Sequence, residues 1–90
     1  MKYLVAYDLD KPGQDYTDLE DFIRTSTDWC HLQGSVWIVE SSLTAKRLAD
    51  RILSKMDSND EIVVSGISSS TIAWRADGRE KNDWMLDRFK

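Results

Sequence analysis

The stretch MKYLVAYDLD, residues 1–10, opens the chain and decides how the rest is read. An apolar run from Tyr3 to Tyr7 stops abruptly at Asp8, and Asp10 follows two residues later. Aromatic and β-branched residues favour a sheet, and apolar side chains on both parities predict a central strand over roughly Lys2 to Asp8. Two readings of its end stand side by side. A carboxylate delivered at the carboxyl end of a strand suits a metal ligand or an acid/base group. It is also an ordinary way for a strand to run out into solvent.

Working outward, Lys11-Pro12-Gly13 predicts a turn, since proline presets one dihedral and glycine accepts the positive one. Thr17-Asp18-Leu19-Glu20 fits a capping box, and Tyr16, Leu19, Phe22 and Ile23 recur at helical spacing. That helix should end near Ser26 to Asp28. In WCHLQGSVWIVE, residues 29–40, Gly34 marks a turn or bulge between two extended pieces. Ser35, Trp37 and Val39 share one face of the second piece, Val36 and Ile38 the other. A second helix is expected from about Thr44, its cap, to Met56, with Leu48, Ile52 and Met56 in its stripe. Asp57 to Asp60 breaks it, and Glu61 to Ile67 reads as a strand. Thr71 to Arg75 is expected to extend the sheet, and Lys81 to Phe89 to form a last helix with Trp84, Met85 and Phe89 inward.

The order β-α-β-β-α-β in so short a chain predicts an α+β fold, a ferredoxin-like sandwich. Two helices would cover one face of a four-stranded antiparallel sheet. The core would span about residues 1–67 of a single domain, with a short C-terminal strand/helix extension over 68–90. The uncovered sheet face is expected to carry aromatics such as Trp37 and to seek a partner, making Trp37 a dimer-interface residue.

Composition narrows the classes. Ninety residues bury a thin core, partly offset by four Trp, three Tyr and two Phe. A homodimer would be another remedy. One cysteine, Cys30, allows no intrachain disulfide, and a cytoplasmic protein is expected. No apolar run approaches the length of a membrane span, and the start does not resemble a signal peptide. The net charge of -4 is uneven: residues 1–40 hold eight acids and three bases, the remainder eight and nine. Nucleic-acid contact by charge therefore falls to the second half, with Arg47 and Arg51 on the outer side of the second helix as candidates. Solvated surface is the plainer reading of the same residues.

Asp8 and Asp10 point to one side if the strand continues, and oxygen ligands suit Mg²⁺ or Mn²⁺. A bound ion would neutralise phosphate charge and activate water. Ser35 is a candidate to hydrogen-bond a phosphate, or it satisfies the backbone near Gly34. His31 is the one histidine, and its reading as a neutral-pH base competes with a structural one. Cys30 has no Cys/His set around it and reads as a core residue. The tryptophans can pack the core or stack bases. No P-loop, dinucleotide fingerprint or serine-hydrolase elbow is present.

The strand ending in YDLD, the helix behind it and QGSVWIVE resemble the Cas2-like group of small ferredoxin-fold proteins. The matching positions are Asp8 and then Gln33, Ser35, Val36 and Trp37. The group includes CRISPR-associated Cas2, VapD-type toxins and SinR-like relatives, and the segment YDLDKPGQDY is most similar to the last branch. The resemblance covers residues 1–67. It implies a homodimer with Asp8 of each copy approaching the twofold axis, where the two could share one ion. It also implies either a metal-dependent nuclease acting on RNA or DNA, or a non-catalytic dimeric scaffold for nucleic acid or a protein partner. The chain departs from the Cas2 pattern in its acidic charge, in Gly13, Gln14 and Asp15 where basic residues open the first helix, and in the tail from Thr71.

Overall fold

A computed structural model describes residues 1–9 and 16–89. The elements, in chain order, are β1 (Lys2–Asp8), α1 (Thr17–Ile23), β2 (Asp28–Gln33), β3 (Val36–Glu40), α2 (Ala45–Leu53), β4 (Glu61–Ile67) and α3 (Arg79–Arg88). The four strands form one sheet in the order β2-β3-β1-β4, every pair antiparallel. The chain crosses from β1 through α1 to β2 with β3 inserted between them. It crosses again from β3 through α2 to β4 with β1 inserted. This is an α+β fold compatible with the ferredoxin-like expectation, and β1 and β3 are the central strands.

Strand alternation sorts the core into two layers. Tyr3 and Val5 of β1 and Trp37 and Val39 of β3 pack with Leu19 and Ile23 of α1 and Leu48 and Ile52 of α2. Cys30 and Leu32 of β2 and Ile38 of β3 pack on the other face with Met85 of α3 and Phe89. Each fully buried large apolar side chain contributes roughly 1.5–3 kcal/mol, so both layers matter in a chain this small. The apolar residues on both parities of β3 are thus explained by helices on both faces.

The first of these layers corrects the sequence expectation at Trp37. Its side chain is 0% exposed and lies under α1 and α2. Trp37 shares parity with Val39, and both point to the face that the two helices cover. The opposite face is itself half covered, by α3 and by the segment before it. Thr71 to Arg75 is not a strand. Ile72, Trp74 and Ala76 have strand-like alternation but pack irregularly against the second layer. Trp74 Nε1 donates to Asn82 Oδ1 at 3.2 Å, and Asn82 Nδ2 donates to the carbonyls of Ala76 and Gly78. Gly78 enters α3 at φ 96°, a conformation that disfavours any side chain.

Helix ends differ in how they form. Thr44 caps α2 as expected, its hydroxyl accepting from Arg47 N at 3.2 Å. The capping box expected at Thr17 is absent: Thr17 is already helical, and Tyr16 holds the cap position without a side-chain bond to the helix. Its hydroxyl instead donates to Asp60 Oδ1 at 3.3 Å, and Asp60 Oδ2 accepts from Asp57 N at 2.8 Å. Asp60, 8% exposed, therefore ties the turn before β4 to the start of α1. The helix α1 ends at Ile23, short of the end expected near Ser26 to Asp28.

Candidate functional site

Asp8 is the last residue of β1, and its side chain is exposed. It alternates away from Tyr3 and Val5, so it stands on the α3 side of the sheet. The antiparallel register sets it directly opposite Glu61, the first residue of β4. Opposed residues on one face have Cβ atoms about 4.5–5.5 Å apart. Two residues bearing carboxylates thus stand on one face where β1 ends and β4 begins. Beside them opens a shallow cleft of about 300 Å³ lined by Ala6, Tyr7, Asp8, Glu61, Ile62 and Val63. Like charges set opposite one another repel, and a shared cation removes that cost.

Ser35, the second candidate, lies in the turn between β2 and β3, and its side chain is exposed. Its carbonyl accepts from Tyr7 N at 3.1 Å, which brings Ser35 to the same end of β1. Asp10 lies outside the described residues. Arg47 and Arg51 are exposed on α2, which covers the opposite face of the sheet from Asp8. Arg51 borders a different cleft, of about 240 Å³, together with Thr25, Ser26, Thr27, Ser41 and Ser42. The structure therefore brings Asp8 and Ser35 to one end of the sheet and leaves Arg47 and Arg51 apart from them.

Tyr7 backs the site from the helix face. Trp37 Nε1 donates to its hydroxyl at 3.0 Å. Burial raises its pKa above the usual 10.0, with Glu20 adding to the rise while Trp37 and Arg24 oppose it. Tyr7 is a neutral phenol near neutral pH. His31 is stacked on Trp37 at 3.8 Å between centroids, and its Nε2 bonds the Gly34 carbonyl at 3.0 Å. The one histidine is engaged in holding the β2–β3 turn. Cys30 is buried, and that burial pushes its thiol pKa up, which does not suit a nucleophile.

Glu61 is the residue that sequence reading missed. The signal was there in part: an acid opens the fourth strand as an acid closes the first. Only the antiparallel pairing of these two strands makes them neighbours. Among the described residues no group of three or more His, Cys, Asp or Glu could hold a metal ion. Magnesium is commonly held by one or two carboxylates, with water and substrate phosphate completing its shell. Asp8 and Glu61 meet that smaller requirement. Among the described residues no helix is long and apolar enough to cross a membrane. No family model matches the chain, and no curated protein matches it.

Proposed function

We propose that the chain is a Cas2/VapD-like homodimeric phosphodiesterase of ferredoxin-like fold that cuts RNA or DNA with Mg²⁺ or Mn²⁺. Asp8 is the principal metal ligand and Glu61 its cross-strand partner. The observation that carries this reading is their in-register pairing at the rim of an open cleft. The ion would be anchored by the two carboxylates, leaving coordination positions for phosphate oxygens and water. Ser35, at the same end of β1, is suited to hydrogen-bond a phosphate oxygen. The metal supplies charge neutralisation and a water of lowered pKa when bound. The protein's own contribution is a rigid placement of both carboxylates on paired strands.

The second reading is a non-catalytic dimeric scaffold. It is favoured by the cleft's lining, which among the described residues contains no Lys or Arg to attract a phosphate. The two readings separate in one experiment. Short labelled RNA and DNA, single and double stranded, are incubated with Mg²⁺, Mn²⁺ or chelator, using wild type, Asp8→Asn and Glu61→Gln purified in parallel. The nuclease reading expects metal-dependent cutting that Asp8→Asn abolishes and Glu61→Gln reduces at limiting metal. Equal activity in all three, or none in any, rejects it in favour of the scaffold.

A further inference from the structure

A third cleft opens along β2, the edge strand farthest from β4. It encloses about 230 Å³ and is lined by Trp29, Cys30, His31, Glu80, Lys81 and Trp84. Trp29 and His31 project on the α1/α2 side of β2, next to Trp37. Trp84 comes from α3, on the other side. Aromatic rings therefore border the free edge of β2 from both faces. Trp29 keeps 37% of its surface in solvent, so a large aromatic area is left open in a chain with little core to spare.

The charges around these rings select the ligand. The Arg24 guanidinium carbon lies 5.5 Å from the Trp29 centroid and 5.2 Å from that of Trp37. The Arg88 guanidinium lies 4.0 Å from the centroid of Trp84. Both tryptophans already carry a cation, and Lys81 adds another in the lining. Glu80 in the lining and Asp28, bonded to Arg88 at 2.6 Å, oppose them. A cationic ligand would compete with the arginines for the same rings. The same cations attract an anionic appendage, and a neutral planar ring can stack on the solvent-open part of Trp29. Glu80 and Lys81 lie in the first turn of α3, whose cap residue Gly78 supplies no side-chain acceptor. An anion beside Lys81 meets the positive end of that helix. Pockets for drug-sized ligands run from roughly 300 to 1,000 Å³, so this smaller space suits a single base.

We propose that the β2-edge cleft is a nucleotide subsite. An unpaired base stacks on Trp29 at the edge of β2, and its phosphate is met by Lys81 at the amino end of α3. The site lies across the sheet from Asp8 and does not depend on catalysis there. A free nucleotide and a single strand present the same chemistry.

The test is calorimetric titration of the full chain carrying Asp8→Asn, with chelator present so that no cleavage intervenes. The probes are AMP, adenosine, ribose 5-phosphate and a short single-stranded oligoadenylate. AMP is expected to bind, with adenosine and ribose 5-phosphate each clearly weaker. Trp29→Ala should weaken AMP about tenfold, within the range for base–aromatic stacking, and Trp29→Phe should restore most of it. Lys81→Ala should bring AMP to the level of adenosine and leave adenosine unchanged. Oligoadenylate tighter than AMP identifies a single strand as the source, and equal affinities identify a free nucleotide. Trp29 and Lys81 lie at the surface, and thermal melting checks that the variants fold. No binding of AMP or oligoadenylate at millimolar concentration overturns the proposal, as does binding that neither substitution changes.

Discussion

At the scale of single residues, the Trp37–Tyr7 pair is the most consequential contact. Trp37 is fully buried, and its indole N–H has the Tyr7 hydroxyl as its partner at 3.0 Å. Removing an acceptor from a buried donor costs about 1–3 kcal/mol, more than the bond contributes net. Tyr7→Phe is therefore expected to destabilise the fold by that amount in urea denaturation. Trp37→Phe in the same background should add less than it does alone, because the donor is then already stranded. The raised pKa of Tyr7 gives a pH signature with a definite sign. A group whose pKa is higher folded than unfolded contributes stability below its ordinary value, here 10.0. That contribution is lost as pH climbs from 10.0 through the higher folded value. Tyr7→Phe should flatten this alkaline loss of stability. In a phenolate absorbance titration of the folded protein it should also remove a component that titrates above 10.0.

At the scale of elements, α3 turns a two-layer arrangement into three layers. Met85 is 0% exposed and sits against Cys30, Leu32 and Ile38. Met85→Ala should cost about 2–5 kcal/mol, the range for truncating a buried large aliphatic side chain. Chemical denaturation reads the loss, and a value near zero would mean that α3 is only loosely docked. The reach of the sequence is clear at this scale. The β-α-β-β-α-β order was legible because its periods switch cleanly between strand and helix, and Met85 and Phe89 read as inward. The facing of β3 was not legible: a strand apolar on both parities does not say which helices lie on which side. Ile72, Trp74 and Ala76 alternate as a strand does, yet no sheet edge receives them. For the candidate site, Asp8 stood out because a carboxylate ends an apolar run. Glu61 did not, because its relation to Asp8 is made by register across the sheet. Nor did the β2-edge cleft, which joins side chains from β2 and α3 that are far apart in the chain.

At the scale of the whole molecule, the open half of the α3 face is the surface on which the proposed homodimer would form. Ala6 and Val63 are cross-strand partners there, and Val63 leaves 60% of its surface in solvent. The edge strand β4 has no Lys or Pro to discourage pairing, although natural sheets commonly protect their edges in this way. Under the proposed function a second copy of the chain would join through this face. Asp8 and Glu61 stand on the same half, so a twofold contact there would gather four carboxylates near one axis. Their mutual repulsion opposes the dimer until a cation or a neutralising substitution relieves it. Wild type is therefore expected to show a larger dimer fraction in sedimentation with Mg²⁺ than with chelator. The double variant Asp8→Asn, Glu61→Gln should dimerise without added metal. Val63→Glu should leave a folded monomer under both conditions. If wild type stays monomeric at high concentration with Mg²⁺, the homodimer fails. If it dimerises equally with chelator, and Val63→Glu has no effect, then the dimer forms through another surface and the carboxylates are not at its axis.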